Sequence, residues 1–433
     1  MSNDQKEQHM NFHPSISDGA RPLITCLRSA LNGTPPEIAS GAFNWESLFR
    51  QARLHEVDRF LFPWLAAYFP DAFQARSSDT EGSPTAAWRT AFLRSLPLTL
   101  MRHRQLNELL SACGQAGISL IPLKGVWLSE TAYDDPAQRP MSDIDLLARS
   151  RDYDACHRLL QSLGYASSFT GQNNRFACDQ TYRHPDRRWP VELHWAFEPE
   201  MNTRAAQPDV EAIWKKAHPS TLQGHPVWSL SHEDQLAHLI QHILHHHFAL
   251  PLRAYLDLAV YWKRFGRLVD YAELASAGER WRLGSAIPFV LGLTDDLFSV
   301  QIRLPSQTSE CPISQEQYSH LLGAILNLPL GTERYGETTL QQYRLATARE
   351  RIRLVWARIF MPRDFMANAY PFARHAWGLP LAWLLRAAHL IRHYGKAIRS
   401  MRDNRSPAAQ KLDNANVRLR VTEALLRKTK KPE

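Results

Sequence analysis

Cysteine is scarce in this chain of 433 residues: there are five, Cys26, Cys113, Cys156, Cys178 and Cys311. They form no CxxC pair and their number is odd, which points to reduced thiols in a cytoplasmic protein. Long apolar runs are also missing. The best candidate, WGLPLAWLLRAAHLI from Trp377 to Ile391, is broken by Arg386 and His389, so no transmembrane segment is expected. The polar start MSNDQKEQHMNFHPS carries no signal-peptide core. No internal repeat is visible. Hydrophobic residues are not lacking: they make up 44% of the chain and include 13 Trp, enough for sizeable cores and against disorder. The length allows one large domain or two to three ordinary ones.

Negative charge is lacking at one end. From Arg344 onward there are 20 Lys and Arg against 6 Asp and Glu, a balance of +14. The remainder holds 31 against 37, or −6, which together give the net +8. A region so basic suits an anionic contact such as nucleic acid, a membrane surface or an acidic partner, or else it is a solvated helical surface. No basic stripe interleaved with aromatics follows Arg405.

The pattern divides the chain into five regions. Residues 1–15 read as a disordered N-terminus. A helical region spans 16–116. Within it, Trp45, Leu48, Phe49, Ala52 and Val57 recur at three- to four-residue intervals, and a long helix is expected from Ala86 to Ala116 with Gly117 as its stop. An α/β core spans 117–202. There ISLIPLKG reads as a strand entering a turn, VWLSETAY as a short helix and SDIDLLAR as a strand. SRDYDACHRLLQSLGY follows as a helix ending at Gly164, and RWPVELHWAF as a further strand. Residues 203–404 read as a helical domain, with Ser231 capping a helix that has Glu233 in its first turn. Residues 405–433 form a basic tail, with NRSPAAQKLDN as a linker before a last helix. The fold class is α+β: a small mixed sheet flanked by helices on both sides in sequence.

Inside the apolar strand SDIDLLAR stand two carboxylates, Asp143 and Asp145. Residues i and i+2 of a strand point to one side, so the two should face together while Ile144 and Leu146 enter the core. Two unpaired carboxylates side by side repel, and a divalent cation removes that cost; Mg²⁺ suits one or two carboxylates plus substrate phosphates. VELHW offers a third carboxylate. Glu192 and His194 share a face opposite Val191 and Leu193, so Glu192 completes a triad if the two strands are neighbours. A second D-x-D, Asp152 and Asp154, begins a helix, where acidic residues serve the helix dipole.

The ordered set LKG, Y, R, SDIDLL, GY and VELHW, over roughly Ala86 to Phe265, resembles the uncharacterised nucleotidyltransferase family of the DNA polymerase β-like nucleotidyltransferase superfamily. That resemblance implies metal-dependent transfer of a nucleoside monophosphate from an NTP to an acceptor. It makes Asp143 and Asp145 ligands of two Mg²⁺ ions, with Glu192 in the place of the third acidic residue. The superfamily turn before the D-x-D is Gly-Ser, whereas here it is Lys124-Gly125. Gly125 leaves room for a phosphate near a helix N-terminus, and Lys124 could supply charge to it. Arg139 could steady phosphates or orient the loop. His194 stands as a supporting or acceptor-side group.

His238, His242 and His246 lie four apart, with His242 on a polar face toward the cleft. No HExxH or cysteine accompanies them as a zinc site would need. Arg253 and Asp257, also four apart, could form an ion pair.

The leading expectation is a Mg²⁺-dependent nucleotidyltransferase acting on an acceptor that could be a small molecule, a lipid- or sugar-linked intermediate, a peptide or RNA. The alternative is a catalytically degenerate module of the same fold serving a biosynthetic complex, which the Lys-Gly turn favours. A third reading, a nucleic-acid binder driven by the tail, requires steeply salt-dependent binding.

Overall fold

The structure is a computed structural model. It describes residues 20–36, 44–73, 84–167, 177–198, 208–304, 312–327, 348–361, 363–375, 377–400 and 407–426. The N-terminus read as disordered, residues 1–15, lies outside these. Five strands form a mixed sheet in the order β1-β2-β5-β4-β3: β1 Leu120–Pro122, β2 Ile144–Ala148, β3 Ala166–Ser167, β4 Asp179–Arg183 and β5 Val191–His194. Only β2 and β5 run parallel; the β1–β2, β5–β4 and β4–β3 pairs are antiparallel.

Before the sheet come α1 (Ala20–Asn32), α2 (Trp45–Leu54), α3 (Asp58–Tyr68), α4 (Pro70–Phe73) and the 32-residue α5 (Pro84–Gln115). Two more helices lie among the strands, α6 (Lys124–Thr131) and α7 (Tyr153–Ser162). After the sheet come α8 (Val210–Lys216), α9 (His232–His245), α10 (Leu252–Phe265), α11 (Tyr271–Arg280), α12 (Ala286–Phe298) and α13 (Gln315–Leu326). The last helices described are α14 (Ala348–Ile359), α15 (Arg363–Ala369), α16 (Gly378–Ser400) and α17 (Pro407–Leu426).

The period-two alternation of the central strands divides the molecule. Ile144, Leu146 and Ala148 of β2, with Val191 and Leu193 of β5, pack on Leu106, Leu109 and Leu110 of α5 and on Cys156 and Leu160 of α7. The other face of the sheet belongs to a second, larger core, in which Ile121 and Leu147 join the apolar sides of α1, α9, α10 and α12. The sheet is therefore covered on both faces. The polar residues of β2 and β5 point into the seam between the sheet and the helices that follow it. Ser231 caps α9 by accepting from the Asp234 N–H, as its position suggested.

Four features differ from the reading of the sequence. β3 and β4 were not anticipated, because DQTYR is mostly polar; β4 is held as a strand by its antiparallel pairing to β5 and by fully buried Tyr182. Residues His218–Leu222 and His225–Ser229 form a hairpin, β6–β7, in a region read as helical. Its two-residue turn, Gln223 and Gly224, has φ of 49° and 81°, the left-handed pair that a tight hairpin needs. Pro219 and Pro226 hide the strand pattern, yet a two-stranded ribbon consists of edges only and tolerates them. β5 spans only Val191–His194, shorter than the Arg188–Phe197 strand expected. Finally, α17 starts at Pro407, inside the stretch read as a linker, with Pro in the first turn where its missing N–H costs nothing. Val421 and Leu425 of α17 are buried in the larger core.

Candidate active site

β2 and β5 set the site. In their parallel register Asp145 lies opposite Glu192, and Leu147 opposite His194. Asp145, Glu192 and His194 emerge on one face, and one ligand atom from each lies within 4.8 Å of the others. Asp143 precedes the first residue of β2 and is half-buried; the Ser142 hydroxyl donates to its Oδ2 at 3.0 Å.

Asp145 is 3% exposed, so its charge requires partners. Lys124 Nζ donates to its Oδ1 at 3.0 Å, and His194 Nε2 lies 3.0 Å from the same oxygen. Both contacts fall on Oδ1, and neither on Oδ2. Burial alone would raise the Asp145 pKa, but the Lys124 charge and the His194 hydrogen bond hold it well below the usual carboxylate range. For Lys124 burial works downward, and the Asp145 charge and hydrogen bond, aided by Asp143 and Glu192, lift it above the ordinary lysine value.

The other two carboxyls shift the opposite way. Burial and then the Asp145 charge raise Asp143. Burial, then Asp145 and Asp143, push Glu192 up to about 7. One lysine cannot neutralise three carboxylates, and a divalent cation beside Glu192 and Asp145 Oδ2 would relieve the excess. The carboxylate oxygens of Asp145 and Glu192 are hard donors of the kind a divalent cation such as Mg²⁺ takes.

The turn that delivers Lys124 is strained. Lys124 has φ of 45°, a left-handed conformation unusual for a residue with a side chain. It opens α6, whose first turn has no side-chain cap. Gly125 follows for a reason the sequence did not show. A Cβ there would lie 2.0 Å from Arg139 Nη1, so the space is taken by the arginine. Arg139 is itself 4% exposed and grips Asp257 of α10 with two bonds, Nε to Oδ1 at 3.0 Å and Nη2 to Oδ2 at 2.8 Å. Arg139 thereby ties the loop before β2 to α10.

Around the same carboxylate, the Tyr133 hydroxyl donates to Asp257 Oδ1 at 2.7 Å, and Arg253 Nη1 reaches Oδ2 at 3.5 Å. Arg253 Nε also donates to Glu56 Oε2 at 2.8 Å. The ion pair expected of Arg253 and Asp257 is present, and its larger task is to lock α10 and the end of α2 onto the loop that leads into β2.

The histidines of α9 divide. His238 is buried between Phe197 and Trp281, with ring centroids 5.0 and 5.5 Å away. His242 is half-buried. Burial first, and then the Lys124 charge, hold both rings well below the usual histidine range, so both are neutral at pH 7. His245 Nδ1 and Gln241 Nε2 converge on Glu198 Oε1, at 2.6 and 2.8 Å. Among the described residues these histidines form no metal-ligand group of their own. Cys178 and Asp179 escaped the sequence reading. Asp179 pairs with His194 across β4 and β5, and the three side chains lie within 4.8 Å, a proximity that only strand register reveals.

A small mixed sheet thus carries Asp145 and Glu192 on a parallel strand pair, with helices before and after it in sequence. The chain belongs to the uncharacterised nucleotidyltransferase family, which it matches over residues 41–299. None of the curated proteins matches it. Among solved structures, the antibiotic-resistance factor ANT(2'')-Ia, known from a solution structure, is similar at 14% identity and a TM-score of 0.32. The match covers 42% of this chain and 92% of that one. A likeness at that level carries nothing about substrate.

Proposed function

We propose that the protein is a Mg²⁺-dependent nucleotidyltransferase that moves a nucleoside monophosphate from an NTP to an acceptor. One observation carries this reading: Asp145 and Glu192 stand opposite each other in the parallel β2–β5 register, with Lys124 paired to Asp145 and Asp143 two residues before it. Asp143, Asp145 and Glu192 are the residues that would hold the metal. When bound, two such ions would neutralise triphosphate charge and acidify an acceptor hydroxyl.

The chain's own groups do the rest. Lys124 and the uncapped start of α6 face the triphosphate, with backbone N–H groups available to an anion. Gly125 keeps the turn close to Arg139, and through Asp257 the arginine holds the loop in place. In the transfer, the acceptor oxygen bonds to the α-phosphorus, the bond to the β-phosphate oxygen breaks, and pyrophosphate leaves. Glu192 takes the acceptor proton. His194 orients Asp145, and neutral His242 lies on the side of Lys124.

The acceptor is a small molecule, a lipid- or sugar-linked intermediate, a peptide or RNA. The basic C-terminal region favours an anionic acceptor or surface. A cytoplasmic setting agrees with this chemistry, and no helix among the described residues is long and apolar enough to cross a membrane. The alternative, a degenerate module of the same fold, keeps the Lys124-Gly125 turn as its support.

Calorimetry with each NTP, with and without Mg²⁺, tests the proposal. The expected result is binding of one or more NTPs that needs the metal and disappears in Asp143→Ala/Asp145→Ala. Folded wild-type protein that binds no NTP would overturn it in favour of the degenerate module.

A further inference from the structure

α14 and α16 expose apolar residues where a helix normally presents polar ones. On α16, Leu381, Leu384, Leu385 and Ile391 recur at helical spacing and all face solvent; Leu384 is 69% and Ile391 73% exposed. Trp377, one residue before the helix, extends the row at 72%. On α14, Ile352, Val355 and Trp356 form a second exposed row, with Ile352 at 68% and Trp356 at 63%.

The two helices are joined. Trp383 Nε1 donates to the Met361 carbonyl at 3.0 Å, Arg386 Nε donates to the Arg358 carbonyl, and Phe360 packs edge-on against Trp383. The buried cluster beneath them is small, centred on Met366, Ala373 and Ala382. So much exposed Trp, Leu and Ile in one place is beyond what a solvated surface normally carries.

The charge around these rows says what covers them. Residues 348–400 hold ten Lys and Arg but only two acids, Glu350 and Asp364. Arg349, Arg363, Arg374 and Arg392 are exposed. A second copy of the chain docked here would bring two such basic segments together, which their repulsion opposes. A nucleic acid would meet the arginines but leave the Leu and Ile rows in water. An anionic bilayer matches both: lipid headgroups for the arginines, the acyl boundary for Leu384 and Ile391, and the interface for Trp356 and Trp377.

We propose that α14 and α16 form a docking surface that lies in the plane of an anionic lipid bilayer with their exposed apolar rows inserted below the headgroups. α16 lies on the bilayer and does not cross it: Arg386, His389 and Arg392 interrupt it, and it does not meet the length and apolarity of a span. The surface uses none of the residues of the nucleotide site, so it stands or falls independently of the proposed function.

The test is flotation of the full chain with vesicles of phosphatidylcholine and phosphatidylglycerol, compared with phosphatidylcholine alone. Leu384→Asp/Ile391→Asp is the diagnostic variant. Its thermal unfolding and Mg²⁺–NTP binding serve as controls, since both positions face solvent. The expected result is binding to the anionic vesicles that falls about tenfold or more in the variant, even at low salt where the arginines alone attract most strongly. In the wild type, lipids brominated near the headgroup should quench tryptophan fluorescence, a readout that needs no variant. Three results would overturn the proposal. One is failure of the wild type to bind anionic vesicles. Another is equal binding by wild type and variant, which would reduce the contact to charge. The third is a concentration-dependent dimer, lost in the variant, without vesicle binding, which would assign the rows to a second copy.

Discussion

The β2–β5 strand pair and the α14–α16 helix pair break the same rule in opposite directions. The first buries charge: Asp145 is 3% exposed in the seam between sheet and helices. The second exposes apolar surface: Ile391 is 73% exposed. Each arrangement costs free energy in the isolated chain, and each cost would be offset by something the chain does not itself supply, a divalent cation in one case and a lipid surface in the other. On both proposals, a departure from the usual partition of residues marks a place where another molecule would bind.

The largest effect belongs to the buried side of the comparison. Asp145→Ala strands Lys124 and His194 without their shared acceptor. It should abolish Mg²⁺–NTP binding and cost about 3 kcal/mol of stability, read from urea unfolding. Arg139→Ala comes next. It leaves Asp257 buried with Tyr133 and the longer Arg253 contact, and should cost about 3 kcal/mol; Arg139→Lys, which cannot make both bonds, should recover only part of that. If either variant unfolds as the wild type does, the buried charges are not the costly feature described.

A smaller effect depends on pH. Glu192 has a folded-state pKa of about 7, above its ordinary 4.5. A raised carboxyl contributes stability that is fully present below about 4.5 and lost as pH rises through 7. Metal-free wild type should therefore lose stability relative to Glu192→Gln over that window, read as the difference between the two unfolding profiles. The smallest effect lies on the exposed side. Leu384→Asp should leave unfolding within about 0.5 kcal/mol of wild type, because that side chain packs on little. A large loss there would mean that the α16 row is core and not surface.

The sequence made the centre of the site legible because strand alternation is local. Asp145 and Glu192 each sit between apolar neighbours, Ile144 and Leu146, Val191 and Leu193, and the structure sets them opposite each other. The long α5 and the Ser231 cap were legible for the same reason. What escaped depends on pairing across the chain. β4 is a strand because β5 lies beside it, and Asp179 meets His194 through that register alone. The role of Gly125 depends on Arg139, and that of Arg139 on Asp257, 118 residues further along the chain. The hairpin at Gln223 and Gly224 was masked by prolines that only an edge strand would accept. The exposed rows of α14 and α16 have ordinary amphipathic spacing, and spacing does not say which side of a helix has a partner.

The central claim is that Asp145 and Glu192 form a divalent-cation site whose crowding holds a proton on Glu192. Proton release on Mg²⁺ binding, measured calorimetrically near pH 6 in buffers of different ionisation enthalpy, tests it most directly. The account predicts that wild type releases close to one proton per Glu192, that the release shrinks as pH rises past 7, and that Glu192→Gln abolishes it. Mg²⁺ binding without proton release, or equal release by wild type and Glu192→Gln, would contradict it.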